Sequence, residues 1–180
     1  MSSIIETQRL IGRPVEGGDI ARLRILHSDD RVMATLSATG KKISRDASAK
    51  ILGRFMIAYD DAGRGVWMFH TRNDGTFVGY AGGMKYMESG LNDTELLYAV
   101  PFTEWRKGYG TEMAGAMIGH LFKSSPLTEL ISFTLPSNVG SRRVMEKNGL
   151  EYERNFTHAG LDHVLYRLTR TRWAGRGGQL

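Results

Sequence analysis

The segment 105–111 combines the residue types that bind an anion. It lies between an apolar stretch and a run with apolar residues at helical spacing, so it is expected to join a strand to a helix. Gly108 and Gly110 allow close approach to the backbone. Arg106 and Lys107 place positive charge beside the unpaired N–H groups that begin a helix. A phosphate or pyrophosphate suits this arrangement, and so does a tight turn with two solvated cations, because a short G-x-G is not decisive.

A second strand-to-helix junction follows further along the chain. Leu130–Leu135 is a candidate strand, and Ser141–Asn148 is a candidate helix that ends at Gly149, where a glycine commonly terminates helices. Two adjacent junctions at the same edge of a sheet leave a slot between their strands. The chain contains neither a G-x-x-x-x-G-K-[ST] loop nor the third glycine of a dinucleotide fingerprint, so this slot is neither a Walker nor a Rossmann site.

Other kinds of site are excluded by residue type. The chain has no cysteine, which rules out disulfides, thiolate nucleophiles and cysteine-bound metals and fits a reducing compartment. Its five histidines show no metal-ligand spacing, so no metal site is predicted. No apolar run is long enough to cross a membrane, and Glu6 and Arg9 interrupt the N-terminus where a signal peptide is most apolar. We therefore expect a cytoplasmic protein with no membrane partner.

The elements that position these junctions belong to one domain. The length of 180 residues and the absence of an internal linker predict a single domain over residues 1–169, followed by a basic, glycine-rich and flexible tail over 170–180. Ile4–Val15 reads as one strand, His27–Lys42 as a loop or poorly defined helix, and Ser44 as the start of a better helix. Asn73-Asp74-Gly75 predicts a hairpin turn.

The net charge of +5 suggests nucleic acid at first sight, but its distribution does not. The last 18 residues hold four arginines and no acidic residue, which leaves residues 1–162 with 20 basic side chains against 19 acidic ones. The domain is therefore nearly neutral, with a local cation pair at one junction. No specific nucleic-acid partner is predicted, and the tail is expected to be a frayed end.

Three motifs together resemble one family. W-R-K-G-Y-G-T-E-M before an apolar helix, N-V-G-S-R-R-V-M-E-K-N-G-L after the next strand, and the opening E-T-Q-R-L-I-G-R-P-V resemble the GNAT superfamily of acetyl-CoA-dependent N-acetyltransferases, in its RimJ/RimL-like branch. The resemblance implies an α/β (α+β) fold, with a mixed, mostly antiparallel sheet of about seven strands and about four helices. Its fourth and fifth strands, Thr94–Val100 and Leu127–Leu135, are expected to splay apart.

The resemblance also implies a binding site for acetyl-CoA between these strands. Backbone groups of Tyr98, Ala99 and Val100 would pair with the pantetheine arm, and Asn138 and Ser141 would face pantetheine and the thioester. The pyrophosphate would be held by Trp105, Arg106, Lys107, Gly108, Tyr109, Gly110 and Thr111.

Two positions depart from the family pattern. The usual Gln or Arg at the start of the pyrophosphate loop is Trp105, so pyrophosphate binding would depend on backbone N–H groups. The tyrosine that protonates the thiolate in many relatives is Met145, and Ser141 is the nearest replacement. Glu95 is the candidate general base, since its strand would carry the acetyl group beside Leu96 and Leu97. An edge carboxylate paired with a surface cation is the alternative for Glu95.

The predicted reaction is direct transfer of an acetyl group from acetyl-CoA to a primary amine, with no covalent enzyme intermediate and no metal. The acceptor is a protein N-terminus by family resemblance. A polyamine, amino acid or aminoglycoside is the alternative, for which Asp29-Asp30 would supply an acidic cleft. A CoA-binding regulatory module without turnover is a third reading, suggested by Met145. Either a monomer or a homodimer is expected.

Overall fold

A computed structural model describes residues 4–37, 39–60, 63–88 and 90–178. Eight strands in this part of the chain are β1 Ile5–Glu6, β2 Leu10–Pro14, β3 Gly65–Thr71, β4 Phe77–Tyr86, β5 Asp93–Ala99, β6 Glu129–Thr134, β7 Glu151–His158 and β8 Leu161–Thr169. The α-helices are α1 Ile20–His27, α2 Asp30–Leu36, α3 Arg45–Ile57, α4 Tyr109–Ser124, α5 Val139–Lys147 and α6 Arg170–Gly175. Short 3-10 helices cover Gly17–Asp19 and Phe102–Glu104.

All eight strands form one sheet in the order β1-β2-β3-β4-β5-β6-β8-β7. Its neighbouring strands are antiparallel except for β5 and β6, which are parallel. The predicted mixed, mostly antiparallel sheet is confirmed. The strand count is eight and not seven, and the α-helix count is six and not four, over the residues described.

The additional strand comes from the N-terminal segment. The predicted single strand Ile4–Val15 is two strands, because the chain reverses between them and pairs Ile5 with Gly12. The Thr7 hydroxyl holds this reversal by accepting a hydrogen bond from the Leu10 amide at 2.9 Å. A β-branched stretch with no glycine or proline at the turn gave no local signal for this reversal.

The additional helices include α2, which lies inside the segment predicted as a loop or poorly defined helix. Its N-cap is Asp29, whose carboxylate accepts a hydrogen bond from the Arg31 amide at 2.9 Å and pairs with the Arg31 guanidinium. A helix of seven residues is marginal by itself. Val32 and Met33 are buried, so packing against the rest of the protein stabilises it.

Two local predictions are confirmed. The Ser44 hydroxyl accepts a hydrogen bond from the Ala47 amide at 3.1 Å and caps α3. Residues 73–75 connect β3 to β4, and Gly75 adopts the left-handed φ of 70° that such a turn requires.

The sheet has two differently covered faces. On the α4–α5 face, Met113, Met117 and Leu121 of α4 pack on buried strand residues that include Trp67 and Leu96. On the α1–α3 face, residues of α1, α2 and α3 pack on Val66, Met68, Tyr80 and Ala99. No helix in the described part of the chain is long and apolar enough to cross a membrane.

The C-terminal segment differs from the predicted frayed end. Residues 170–175 form α6, and Trp173 packs against Phe122 of α4 with ring centroids 5.2 Å apart. The Arg170 guanidinium donates hydrogen bonds to the carbonyls of Phe122, Leu127 and Ser125 at 2.5 to 2.7 Å. Arginine at the end of a helix satisfies carbonyls and the negative end of its dipole. Arg170 therefore uses its charge to hold this segment on the domain. Residues 179–180 lie outside the described part of the chain.

We predict that Trp173→Ala destabilises the domain. Removing the indole ring leaves a gap against Phe122 and is expected to lower the free energy of unfolding by about 2 kcal/mol. Urea denaturation followed by circular dichroism measures the change. Thr171→Ala is the matched control, because Thr171 is exposed on the same helix and its replacement is expected to change stability by less than about 0.5 kcal/mol. Equal stability of Trp173→Ala and Thr171→Ala would show that α6 docks without contributing to the fold.

Candidate active site

A slot opens between β5 and β6. Within the described residues these strands pair at a single position, Glu95 with Ile131. Beyond that pair, β5 continues to Ala99 and β6 continues to Thr134 without pairing. Strands that stay adjacent pair along their length, so these two diverge, as the predicted splay requires.

At the open end of β5, the backbone N–H and carbonyl groups of successive residues are directed alternately toward β4 and into the slot. The Ala99 carbonyl oxygen is directed at β4, where a Cβ on Gly79 would lie 2.1 Å from it. Successive residues of a strand direct their backbone groups to opposite sides, so the groups of Tyr98 are directed into the slot. The Val100 carbonyl already accepts a hydrogen bond from the Trp105 indole at 2.8 Å. Of the three predicted pantetheine contacts, Tyr98 has the most suitable backbone direction.

The closed end of the slot is held by an arginine. Arg167 of β8 forms ion pairs with Asp93 of β5 at 2.7 Å, with Glu129 of β6 at 2.8 Å and with Glu153 of β7 at 2.5 Å. Its side chain is only 21% exposed, so water screens these pairs less than at an open surface. The arginine therefore joins both strands of the slot at their first residues.

A cluster of hydroxyl groups lines the slot on the α4–α5 face. The Tyr98 hydroxyl lies 2.9 Å from the Ser141 hydroxyl and donates to the Ser141 carbonyl at 3.0 Å. Ser132 is also a hydrogen-bond partner of Tyr98, and burial raises the pKa of Tyr98. The Asn138 side chain caps α5 by accepting from the Ser141 amide at 3.1 Å and donates to Thr134 at 3.0 Å. Asn138 thus fixes the start of α5, which presents Ser141 to Tyr98.

Met145 does not contribute to this cluster. Its side chain is fully buried in the core of the α4–α5 face. A thioether has no proton to donate. Among the described residues, the hydroxyl groups in this region belong to Tyr98, Ser132, Thr134 and Ser141, which lie on β5, β6 and α5.

The N-terminus of α4 has features of an anion-binding site. Gly108 is its N-cap with φ of 85°, Arg106 is also left-handed with φ of 63°, and no side chain caps the helix. The first turn therefore presents N–H groups without a side-chain acceptor. Over the described residues no carboxylate pairs with Arg106, whereas Lys107 pairs with Glu104 at 3.0 Å. Residues 105–111 are thus brought together, with Arg106 as their unpaired cation.

Four contacts from the N-terminal turn to this loop and to the first turn of α4 were missed from the sequence. The Glu112 carboxylate in the first turn of α4 accepts hydrogen bonds from the Thr7 hydroxyl at 2.5 Å and from the Arg9 amide at 2.9 Å. The Arg9 guanidinium binds Glu112 at 2.6 Å and the Lys107 carbonyl at 3.0 Å. Thr7 and Arg9 stand in the motif E-T-Q-R-L, but nothing local in that motif indicates a partner about a hundred residues away.

Glu95 lies at the point where the two strands separate. Alternation along β5 places its side chain with those of Leu97 and Ala99 on the α1–α3 face, opposite Tyr98. Burial raises its pKa to about 7, Arg54 opposes this shift and Glu88 adds to it. Among the described residues no cation forms an ion pair with Glu95, contrary to the alternative of a paired edge carboxylate. The described residues also contain no group of three His, Asp or Glu that could hold a metal ion.

The family comparison matches most of the chain. Residues 9–151 match the family described as Acetyltransferase (GNAT) domain. The chain belongs to this family. The predicted enzyme class, an acetyl-CoA-dependent N-acetyltransferase, is therefore confirmed, and the slot between β5 and β6 is the splayed region of a GNAT sheet.

Solved structures agree with a GNAT fold over the whole domain. An acetyltransferase from Agrobacterium tumefaciens has a TM-score of 0.80 at 20% identity, covering 94% of this chain and 96% of its own. RimL, a ribosomal alpha-N-protein acetyltransferase solved with coenzyme A, has a TM-score of 0.76 at 13% identity, with coverage of 93% and 98%. An aminoglycoside acetyltransferase solved with coenzyme A has a TM-score of 0.77 at 18% identity, with coverage of 92% and 98%. These identities support the shared GNAT fold and leave the acceptor open.

Proposed function

We propose that this GNAT enzyme transfers the acetyl group of acetyl-CoA to the α-amino group of a peptide or protein N-terminus. The observation that carries the proposal is Glu95, a carboxylate with a pKa near 7 at the point where β5 and β6 separate. RimL provides the analogy for the acceptor, since it has the same fold and acts on a ribosomal protein. The RimJ/RimL-like branch and a cytoplasmic location are parts of the same proposal.

The residues present fit acetyl-CoA. Within the described residues, the start of α4 has no side-chain cap and Arg106 has no ion pair, which suits a pyrophosphate, and the edge of β5 at Tyr98 has no strand partner in β6, which suits the amide groups of pantetheine. Acetyl-CoA supplies the activated acetyl thioester. Gly108, Tyr109, Gly110 and Thr111 would offer backbone N–H groups, and Trp105 would hold the loop through its bond to Val100. Tyr98 would offer the backbone groups nearest the transferred acetyl.

Glu95 would accept the proton that the neutral amine releases as its nitrogen bonds to the acetyl carbon and the C–S bond to CoA breaks. The Glu95 pKa near 7 leaves about half of this carboxylate deprotonated at neutral pH, and an N-terminal amine has a pKa of about 8. A lysine amine has a pKa of about 10.4, so its deprotonation costs roughly 3 kcal/mol more at the same pH. A base of this strength therefore suits an N-terminal amine better than a lysine side chain.

Charges near α2 also favour a peptide over a polycation. Asp29 pairs with Arg31 at 2.6 Å and Asp30 pairs with Lys42 at 3.1 Å. The predicted acidic cleft for an aminoglycoside or polyamine is therefore neutralised by cations of the chain itself. Binding several ammonium groups there would require breaking these ion pairs.

The acceptor experiment measures free CoA thiol with a chromogenic thiol reagent. The protein has no cysteine, so the reagent detects only the thiol released from acetyl-CoA. We expect release with a peptide that has a free N-terminus, and none when that N-terminus is blocked and a lysine remains. If spermidine or an aminoglycoside causes thiol release and none of the peptides does, the small-molecule alternative is supported. Tight CoA binding without release for any amine would support the regulatory module.

We predict a moderate role for Ser141 as the proton donor to the departing thiolate. A thiol has a pKa of about 8.5, so the thiolate leaves readily and the acid is the least demanding role. Ser141→Ala is expected to lower kcat about tenfold with little change in KM for acetyl-CoA. Steady-state kinetics measures both, and Ser137→Ala is the control because Ser137 is an exposed serine just before α5. An unchanged kcat would remove Ser141 from the reaction.

A further inference from the structure

Arg9 connects the N-terminal turn to the loop before α4. Its guanidinium donates to the Lys107 carbonyl at 3.0 Å and to Glu112 at 2.7 Å. It also lies over the Tyr109 ring, 4.8 Å from the centroid. Arg9 therefore contacts two residues of the loop, Lys107 and Tyr109, and also Glu112 in the first turn of α4.

The turn that carries Arg9 is itself braced. The Thr7 amide donates to the Leu10 carbonyl at 3.0 Å, and the Leu10 amide donates to the Thr7 hydroxyl at 2.9 Å. The Thr7 hydroxyl and the Arg9 amide both donate to Glu112. Arg9 is thus held by backbone contacts independent of its side chain, which fixes the starting point of the guanidinium.

The bond to the Lys107 carbonyl determines where the next amide is directed. The carbonyl of Lys107 and the N–H of Gly108 belong to one planar trans peptide, in which they face opposite directions. Holding this carbonyl on Arg9 therefore turns the Gly108 N–H away from Arg9. Arg106 and Gly108 are both left-handed, and alternation of such residues forms concave arrays of N–H groups that bind anions.

We propose that Arg9 is a positioning residue that orients the loop 105–111 to bind the pyrophosphate of acetyl-CoA. The proposal depends on the proposed function, because it assigns the loop to that ligand. Arg9 acts through the Lys107 peptide and Glu112, and it does not itself touch the reacting atoms.

Arg72 provides a matched control. Both arginine side chains are 46% exposed, and Arg72 binds the same turn through the Thr7 carbonyl at 3.0 Å and Glu6 at 3.3 Å. None of these contacts reaches α4. Arg9→Met removes a positive charge within this turn and Arg72→Met removes one that contacts it from the end of β3, and only Arg9 also contacts the loop.

The test measures the Kd of CoA by isothermal titration calorimetry and the KM of two thioesters, acetyl-CoA and S-acetyl-pantetheine, which lacks the pyrophosphate. Arg9→Met is expected to weaken CoA about tenfold and to raise the KM of acetyl-CoA by a similar factor, with the KM of S-acetyl-pantetheine unchanged. Arg72→Met is expected to leave the Kd of CoA and both KM values within about twofold of the wild-type values. Arg9→Lys is expected to recover part of the loss, because lysine keeps the pair with Glu112.

Two results would overturn the assignment. An Arg9→Met protein that binds CoA as the wild type does would show that the loop needs no support from Arg9. Equal losses toward acetyl-CoA and S-acetyl-pantetheine would show a general structural defect. A wild-type protein that does not bind CoA would contradict the proposed function itself. This outcome is measured on the wild type, so it is distinct from a failure of the Arg9 assignment.

Discussion

Glu95→Gln is expected to lower kcat/KM for an N-terminal peptide by about 100-fold at neutral pH, because it removes the general base. The pH profile gives a sharper readout. In the wild type two groups must be deprotonated, Glu95 with a pKa of about 7 and the substrate amine with a pKa of about 8. A plot of log kcat/KM against pH therefore rises with a slope of two below both pKa values. In Glu95→Gln only the amine titrates, and the slope falls to one. A variant that keeps both inflections would exclude Glu95 as the base.

The same substitution is expected to stabilise the protein. A carboxyl whose pKa is raised on folding binds its proton more tightly in the folded state, so the free energy of unfolding falls as pH rises from about 4.5 through 7. Glutamine avoids this cost, and Glu95→Gln should gain about 1 to 2 kcal/mol at pH 8 after allowance for the partial exposure of the side chain. Lower activity together with higher stability distinguishes loss of a base from misfolding.

Glu88→Gln is the control for the pH profile. Glu88 is exposed and its charge contributes to the raised pKa of Glu95. Neutralising it is expected to move the lower inflection to a more acidic pH while the slope of two remains. Arg54→Gln should move the same inflection to a more basic pH, since Arg54 lowers the Glu95 pKa.

Gly79→Ala is expected to produce the largest loss of stability. A Cβ at Gly79 would lie 2.1 Å from the Ala99 carbonyl oxygen and 3.0 Å from the Met113 side chain, and the residue has φ of 138°. A backbone atom cannot move aside as a side chain can, so β4 and β5 would have to separate. The free energy of unfolding should fall by about 3 kcal/mol or more, measured by urea denaturation.

Gly53→Ala is the matched control for this substitution. Gly53 lies inside α3, and a Cβ there would meet nothing within 4 Å. Alanine loses less backbone entropy than glycine in a helix, so Gly53→Ala is expected to raise stability by up to about 1 kcal/mol. The two glycine substitutions should thus change stability in opposite directions. A Gly79→Ala protein as stable as the wild type would show that β4 and β5 can shift at Ala99 without cost.

Much of the fold was predictable because its signals are local. The capping serine at Ser44, the turn at Gly75 and the terminating glycine at Gly149 each act within a few residues, and each lies where the sequence predicts. The strands on both sides of the slot were predictable from their apolar content. The paired motifs after them identified the family.

The missed features depend on partners distant in sequence. The N-terminal reversal is anchored to Glu112 in addition to its own Thr7–Leu10 bond, α2 is stabilised by burial of Val32 and Met33, and α6 docks on Phe122. None of these contacts leaves a periodic signal in the segment that makes it. The candidate site shows the same division: Glu95 and the loop 105–111 were predictable from residue type, whereas the support of that loop by Arg9 was not.

The Arg167 ion pairs have a consequence for how the slot responds to its surroundings. Because the described parts of β5 and β6 share one backbone pair, the angle between the two halves of the sheet depends on charge attraction at Asp93 and Glu129 as well as on packing. Charge pairing through Arg167 therefore helps to hold the two strands together at the closed end of the slot. Because the Arg167 side chain is only 21% exposed, salt screens these attractions weakly, so the closed end of the slot is expected to keep its width over the physiological range of ionic strength.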